Sequence, residues 1–144
     1  YTVVVHPPLV VENLLPHEGT FELADEGRNP LWAARLEPGT SVGVYSVGMD
    51  VPLLLLLNLG FCRNMDGVHV HDGLRGGGGG GGAREDGGDE CASGITLTDA
   101  VGQRIALRVE NRRGGGGQRH VTVYAPYWMV NTSHYRMRFR QDGS

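Results

Sequence analysis

Two stretches of this chain, 118 residues apart, carry the same residues in the same order, and a chain that repeats itself is built from modules that stack. The first runs Val3-Val-Val-His-Pro-Pro8-Leu-Val-Val-Glu-Asn13 and on to Phe21; the second runs Val121-Thr-Val-Tyr-Ala-Pro126-Tyr-Trp-Met-Val-Asn131 and on to Phe139. Without a gap, Val3 falls on Val121, Val5 on Val123, Pro8 on Pro126, Asn13 on Asn131 and Phe21 on Phe139. Chance supplies one or two such matches, not five at one offset. Self-similarity at a fixed period marks a repeat array in which each unit packs against its neighbours.

The expected division is one complete unit over residues 1–118 and the start of the next over residues 119–144. The sequence opens at Tyr1 and stops at Ser144, shortly after the second unit begins, so a slice of a longer array is expected. A unit of this size holds enough core to fold, though with little margin when its neighbours are missing.

The patterning is of period two. Ile105, Leu107 and Val109 alternate with Ala106, Arg108 and Glu110; Val121 and Val123 continue the scheme beyond the turn residues Gly114–Gly117. A hairpin of 105–111 with 120–125 follows. Tyr135, Met137 and Phe139 alternate with Arg136, Arg138 and Arg140, which predicts another strand. Further strands are expected over 9–13, 20–23, 32–36, 41–47, 52–59, 68–71 and 95–98. The run Leu53–Leu57 shows no alternation, as in a strand buried on both faces, and Pro52 and Gly60 favour strand over helix. No segment has a capped helical period. The fold class is all-β: an antiparallel, sandwich-like repeat unit. Between Gly73 and Gly94 the pattern collapses into glycine and charged residues with too few apolar side chains to make a core, so a flexible Gly-rich insertion loop is expected there.

Composition excludes more than it suggests. A net charge of −3 gives no pull toward nucleic acid or anionic lipid. The longest apolar run, Val51–Leu57, is far short of the roughly 20 residues that span a bilayer. Two cysteines, Cys62 and Cys91, without other marks of a secreted scaffold, fit a reduced compartment. The seven glycines 76–82 lack the Gly-Lys-[Ser/Thr] of a phosphate loop and are followed by Ala83-Arg84-Glu85-Asp86, whose carboxylates would repel phosphate. Arg75-Gly-Gly and Arg113-Gly-Gly are single copies of a motif that binds RNA only through many arginines. His69 and His71 share one strand face, but zinc needs three or four converging ligands. No nucleophile motif or acid–base carboxylate pair is present. The expectation is a protein with no enzymatic activity, no cofactor and no metal site.

The two asparagines stand apart because their position repeats. Asn13 and Asn131 each end an apolar strand before a turn, where an Asn side chain bonds backbone groups a few residues away and holds the turn closed. An architectural role is expected for both.

These same residues carry a family resemblance. Asn13-Leu-Leu-Pro16, the phrase Tyr124-Ala-Pro-Tyr-Trp-Met-Val-Asn131, and Leu97-Thr-Asp-Ala-Val-Gly102 beside alternating apolar residues resemble the repeats of the adaptor-binding region of VPS13 (vacuolar protein sorting-associated protein 13) proteins, also called the SHR-binding domain. The resemblance covers both ends of the chain and residues 95–109, not 73–94. It implies an all-β repeat of a long bridge-like lipid transfer protein. In that family the region does not carry lipid; it captures short proline-containing motifs of organelle adaptors and so selects a membrane. The implied partners are such motifs and neighbouring repeats, with membrane contact only indirect and no nucleic acid. The implied location is the cytoplasmic side of endosome, vacuole and mitochondrion contact sites. Tyr127, Trp128, Met129 and Val130 are the expected wall of an adaptor groove, since aromatic side chains give contact area at low entropic cost. The rival reading is a purely structural repeat with no ligand. A free strand edge beside an apolar groove would separate the two.

Overall fold

The computed structural model describes residues 1–70, 91–127 and 131–138, and its strands start from the alternation visible in the sequence. Strand β1 (Leu9–Asn13) turns Leu9, Val11 and Asn13 inward, and β2 (Gly19–Ala24) turns Phe21 and Leu23 inward. They are followed by β3 (Pro30–Leu36), β4 (Thr40–Val44) and the leucine run as β5 (Leu53–Asn58). Two short strands, β6 (Cys62–Arg63) and β7 (Val68–Val70), precede the long β8 (Cys91–Asp99), β9 (Arg104–Arg113) and β10 (Arg119–Tyr124). Alternate residues of β8, β9 and β10 (Ile95, Leu97, Leu107, Val109, Val121 and Val123) join the same apolar cluster. Each fully buried leucine there contributes about 1.5–3 kcal/mol.

All ten strands form one sheet, in the order β3-β2-β5-β6-β8-β9-β10-β1-β4, with β7 also paired to β5. The sheet curls into a nearly closed barrel, because its two ends, β3 and β4, are consecutive and share the corner at residues 37–39. The β9–β10 hairpin forms as the alternation predicts, across a 3-10 turn at Gly115–Gly117. One pairing departs from the antiparallel expectation: β1 runs parallel to β10, Leu9 opposite Arg119 and Asn13 opposite Val123. The first and last strands of the barrel therefore lie side by side, which no local pattern announces.

Three further expectations are corrected. Strand β8 begins at Cys91, so residues 91–94, expected in the insertion, pair with β9 as far as Asn111; residues 73–90 of that insertion, and His71, lie outside the described residues. The strand expected over 41–47 stops at Val44. The alternation from Tyr135 gives no strand over 131–138, where no strand among the described residues pairs with it; Phe139 and Arg140 lie outside the described residues.

Strand β5 meets the expectation of burial on both faces: Leu53, Leu55 and Leu57 are buried on one side and Leu54 on the other, with Leu56 half-buried. The turn between β6 and β7 covers that second face. A Cβ at Gly67 would lie 3.4 Å from Leu54 and Leu56 side-chain atoms, and Gly67 has φ 70°, so glycine suits it twice over. Asn64 holds this turn down. Its side chain accepts from the Leu57 amide at 2.6 Å and donates to the Leu55 carbonyl at 3.4 Å, standing in for a strand residue where β6 breaks from β7.

Candidate functional site

Strand β1 ends in a buried polar hub. Asn13 is fully buried, and its side-chain amide donates to the carbonyls of His17 (3.0 Å), Leu36 (3.0 Å) and Glu37 (3.3 Å), while its Oδ1 accepts from the Leu15 amide at 3.0 Å. Its own carbonyl accepts from the Gly39 amide at 2.7 Å, and the Leu14 amide donates to Val123 at 2.9 Å. The strand's alternation turns Asn13 inward, and the short Leu14–Glu18 turn then bends His17 back over it. Because Leu36 ends β3 while Asn13 pairs through its backbone with Thr40 of β4, this one side chain ties together the two ends of the sheet. Removing it would take a partner from the buried Leu36 carbonyl and the buried Leu15 amide, at about 1–3 kcal/mol.

Asn131, at the equivalent position, makes the same local ring: its amide donates to the Tyr135 carbonyl at 2.7 Å and its Oδ1 accepts from the Ser133 amide at 2.9 Å. It is exposed, and the Ser133 hydroxyl supplies a further 2.7 Å bond. Tyr127 is 91% exposed. Trp128, Met129 and Val130 lie outside the described residues, so of the expected groove wall only Tyr127 is placed.

Strand edges are the remaining candidate surface. Strand β8 pairs with β9 along its length but with β6 only at Asp99 and Thr98. Past that point β7, which pairs with β5, lies beside β8 without pairing with it, and among the described residues no second strand pairs with the edge of β8 over Ser93–Leu97. The opening between them is a cleft of about 190 Å³ lined by Asn64, Asp66, Gly67, Val68, Gly94, Ile95 and Thr96. A Cβ at Gly94 would meet nothing within 4 Å. A glycine within a strand and open on its side chain's face is a place where another backbone can come close. The outer edge of β3, with Leu31 42% exposed, is a second edge without a strand partner among the described residues.

Charge at these edges is sparse. Glu18 and Arg35 pair across the β2–β3 end, which raises the Arg35 pKa above its ordinary value through the hydrogen bond and the charge. Burial pushes the Cys62 thiol up, and the Asp99 carboxylate adds to it, so this free cysteine sits in the core with its thiol held protonated. Asp99 is occupied by its turn, accepting from the Val101 and Gln103 amides at 2.9 and 2.7 Å. A larger hollow of about 410 Å³ beside it is lined by Phe61, Met65, Cys62 and Arg63 among others. The described residues bring together no group of three His, Cys, Asp or Glu side chains that could hold a metal ion. Asn64 and Gly94 were not singled out by their sequence context; the one signal for Gly94 is a glycine placed four residues before the alternating Thr98 stretch, inside what reads as loop.

Comparison with known proteins identifies the family. A family model described as the adaptor binding domain of vacuolar-sorting associated protein 13 matches residues 1–144. The chain is also 27% identical over 140 residues to the intermembrane lipid transfer protein VPS13 of Chaetomium thermophilum, covering 94% of this chain. It spans about 4% of the length of that relative.

Proposed function

The chain belongs to the adaptor-binding domain family of vacuolar-sorting associated protein 13, and on that premise we propose that it is a non-enzymatic docking module of a bridge-type lipid transfer protein. In this reading it recruits the parent to organelle membranes by capturing short proline-containing segments of adaptor proteins, and the lipid itself travels through other parts of the parent. The family match over all 144 residues is the observation that carries it. No helix among the described residues is long and apolar enough to cross a membrane.

An extended peptide binds a sheet by adding a strand, with backbone bonds giving affinity and side-chain pockets giving selectivity. Proline lowers the ordering cost of such a peptide by holding it extended. The edge of β8 beside Gly94 supports this mode within the unit, since the cleft there has room for a backbone to approach. The second element is Tyr127–Val130 as one wall of the groove. The repeat offset sets Tyr127 and Met129 against the fully buried Leu9 and Val11, and Trp128 and Val130 against the half-buried Val10 and Glu12. The alternative, a structural repeat without a ligand, is favoured by Asn13, whose four side-chain bonds are all internal.

Titrating proline-bearing adaptor peptides into the full array tests the reading, with dissociation constants on the order of micromolar expected. Peptides with alanine for proline are expected to bind at least about tenfold more weakly. If no peptide binds, or alanine peptides bind equally well, the structural alternative takes its place. A Gly94→Val array that keeps full affinity would remove the β8 edge as the site in this repeat.

A further inference from the structure

The strand that closes this barrel has a counterpart in the chain that closes nothing. Strand β10 lies between β9, antiparallel, and β1, parallel, with Val121 and Val123 fully buried. The 118-residue offset places Tyr1–His6 on Arg119–Tyr124, with Val3 on Val121 and Val5 on Val123. Yet residues 1–6 join no strand, and Val3, Val4 and Val5 are 84%, 67% and 72% exposed. Three successive β-branched apolar residues left in water are a strand without a sheet.

Fixed structure begins one residue later. The Pro7 ring packs on β4, where a Cβ at Gly43 would fall 2.9 Å from it. The Pro7 carbonyl accepts from the Gln118 side chain at 2.9 Å, and the Pro8 carbonyl accepts from the Arg119 amide at 2.8 Å. So Pro7 and Pro8 already belong to the barrel and residues 1–6 do not. A second copy of this chain offers them no place, because its slot between β9 and β1 is filled by its own β10.

We propose that Tyr1–His6 is the closing strand of a preceding unit of this same architecture, inserted antiparallel to that unit's counterpart of β9 and parallel to its counterpart of β1. The barrel is then framed by β1 and β10, six residues out of phase with the sequence repeat that starts at Tyr1. Pro7-Pro8 and Ala125-Pro126 become the junctions between consecutive barrels, two residues each, with no flexible linker. This proposal is independent of the adaptor reading.

Paired aspartate substitutions test it. In this 144-residue chain, the double variant Val3→Asp with Val5→Asp is expected to leave the urea midpoint unchanged, whereas Val121→Asp with Val123→Asp abolishes cooperative unfolding. In the full-length parent, the first variant is expected to lower amide-exchange protection of the preceding unit by at least about tenfold, with residues 9–124 unaffected. Should that variant prevent the preceding unit from folding at all, Val3→Thr with Val5→Thr is expected to reduce protection in that same unit alone. Protection of the preceding unit changed by less than about tenfold in both variants overturns the proposal. So does a Val3/Val5 variant that unfolds this chain as Val121/Val123 does.

Discussion

Asn13 and Asn131 make the same ring of bonds in opposite surroundings. Each amide donates to the carbonyl four residues on, and each Oδ1 accepts from the amide two residues on, over nearly the same distances. The ring therefore depends on the local run of residues and not on a folded unit around it. What Asn13 has in addition comes from far along the chain: the Leu36 and Glu37 carbonyls, and complete burial. The difference separates two tasks of one side chain. It shapes its own turn, which any isolated segment can do, and it fastens a distant corner, which only a complete barrel allows.

The largest effect expected of any change at these two positions is that of Asn13→Asp, which would aim a buried carboxylate at three carbonyl oxygens. A loss of about 3–5 kcal/mol is expected near neutral pH, the cost of an uncompensated buried charge. Folding raises the pKa of that carboxyl above its unfolded value of about 3.9, so the penalty is absent below the unfolded pKa and complete above the folded one. Urea unfolding of the variant across acid pH checks the sign: stability should fall as pH rises, and a pH-independent deficit would mean the site is wetter than the burial indicates.

Asn13→Ala is expected to cost less, about 1–3 kcal/mol, because it removes donors without adding a charge. An unchanged denaturation midpoint would break the comparison and return Asn13 to the pool of ligand-contacting candidates. The smallest effect belongs to Asn131→Ala in this chain, within about 0.5 kcal/mol, as for exposed residues with local bonds only. If a following barrel surrounds the turn in a longer array, the same substitution measured there should approach the Asn13→Ala value; if it stays silent there, the two asparagines are not equivalent.

How far the sequence led depends on the range of the interaction. Strand β1, the leucine run and the β9–β10 hairpin were legible because alternation, an unbroken apolar run and a glycine turn are local signals. The start of β8 was hidden by Ala92, Ser93 and Gly94, which offer no apolar pattern and are ordered by pairing with Val109, Glu110 and Arg108. Strand β6 was missed because two residues carry no periodicity, and Asn64 completes its work with a side chain. The arginine-spaced alternation from Tyr135 misled for the converse reason: a pattern needs a partner strand, and among the described residues 131–138 have none. At the candidate site, the repeat offset pointed to Asn13 and Asn131, but the Leu36 and Glu37 carbonyls and the cleft at Gly94 arise from closure of the barrel and leave no trace in spacing.

The parallel pairing of β1 and β10 also has a mechanical side. The chain comes in at the start of β1 and leaves from the end of β10, so these two points sit at opposite ends of the paired strands, separated by roughly 17 Å for five residues of strand. Tension applied through the two ends runs along the strands and loads their backbone bonds in shear, all together. An antiparallel pair would have its ends side by side and would peel open one bond at a time. A single abrupt rupture is therefore expected when the barrel is stretched in a single-molecule pulling experiment, where resistance follows the unfolding rate and not the equilibrium stability; gradual unzipping at low force would contradict it. A barrel strung this way passes a pull from its first strand to its last while staying closed.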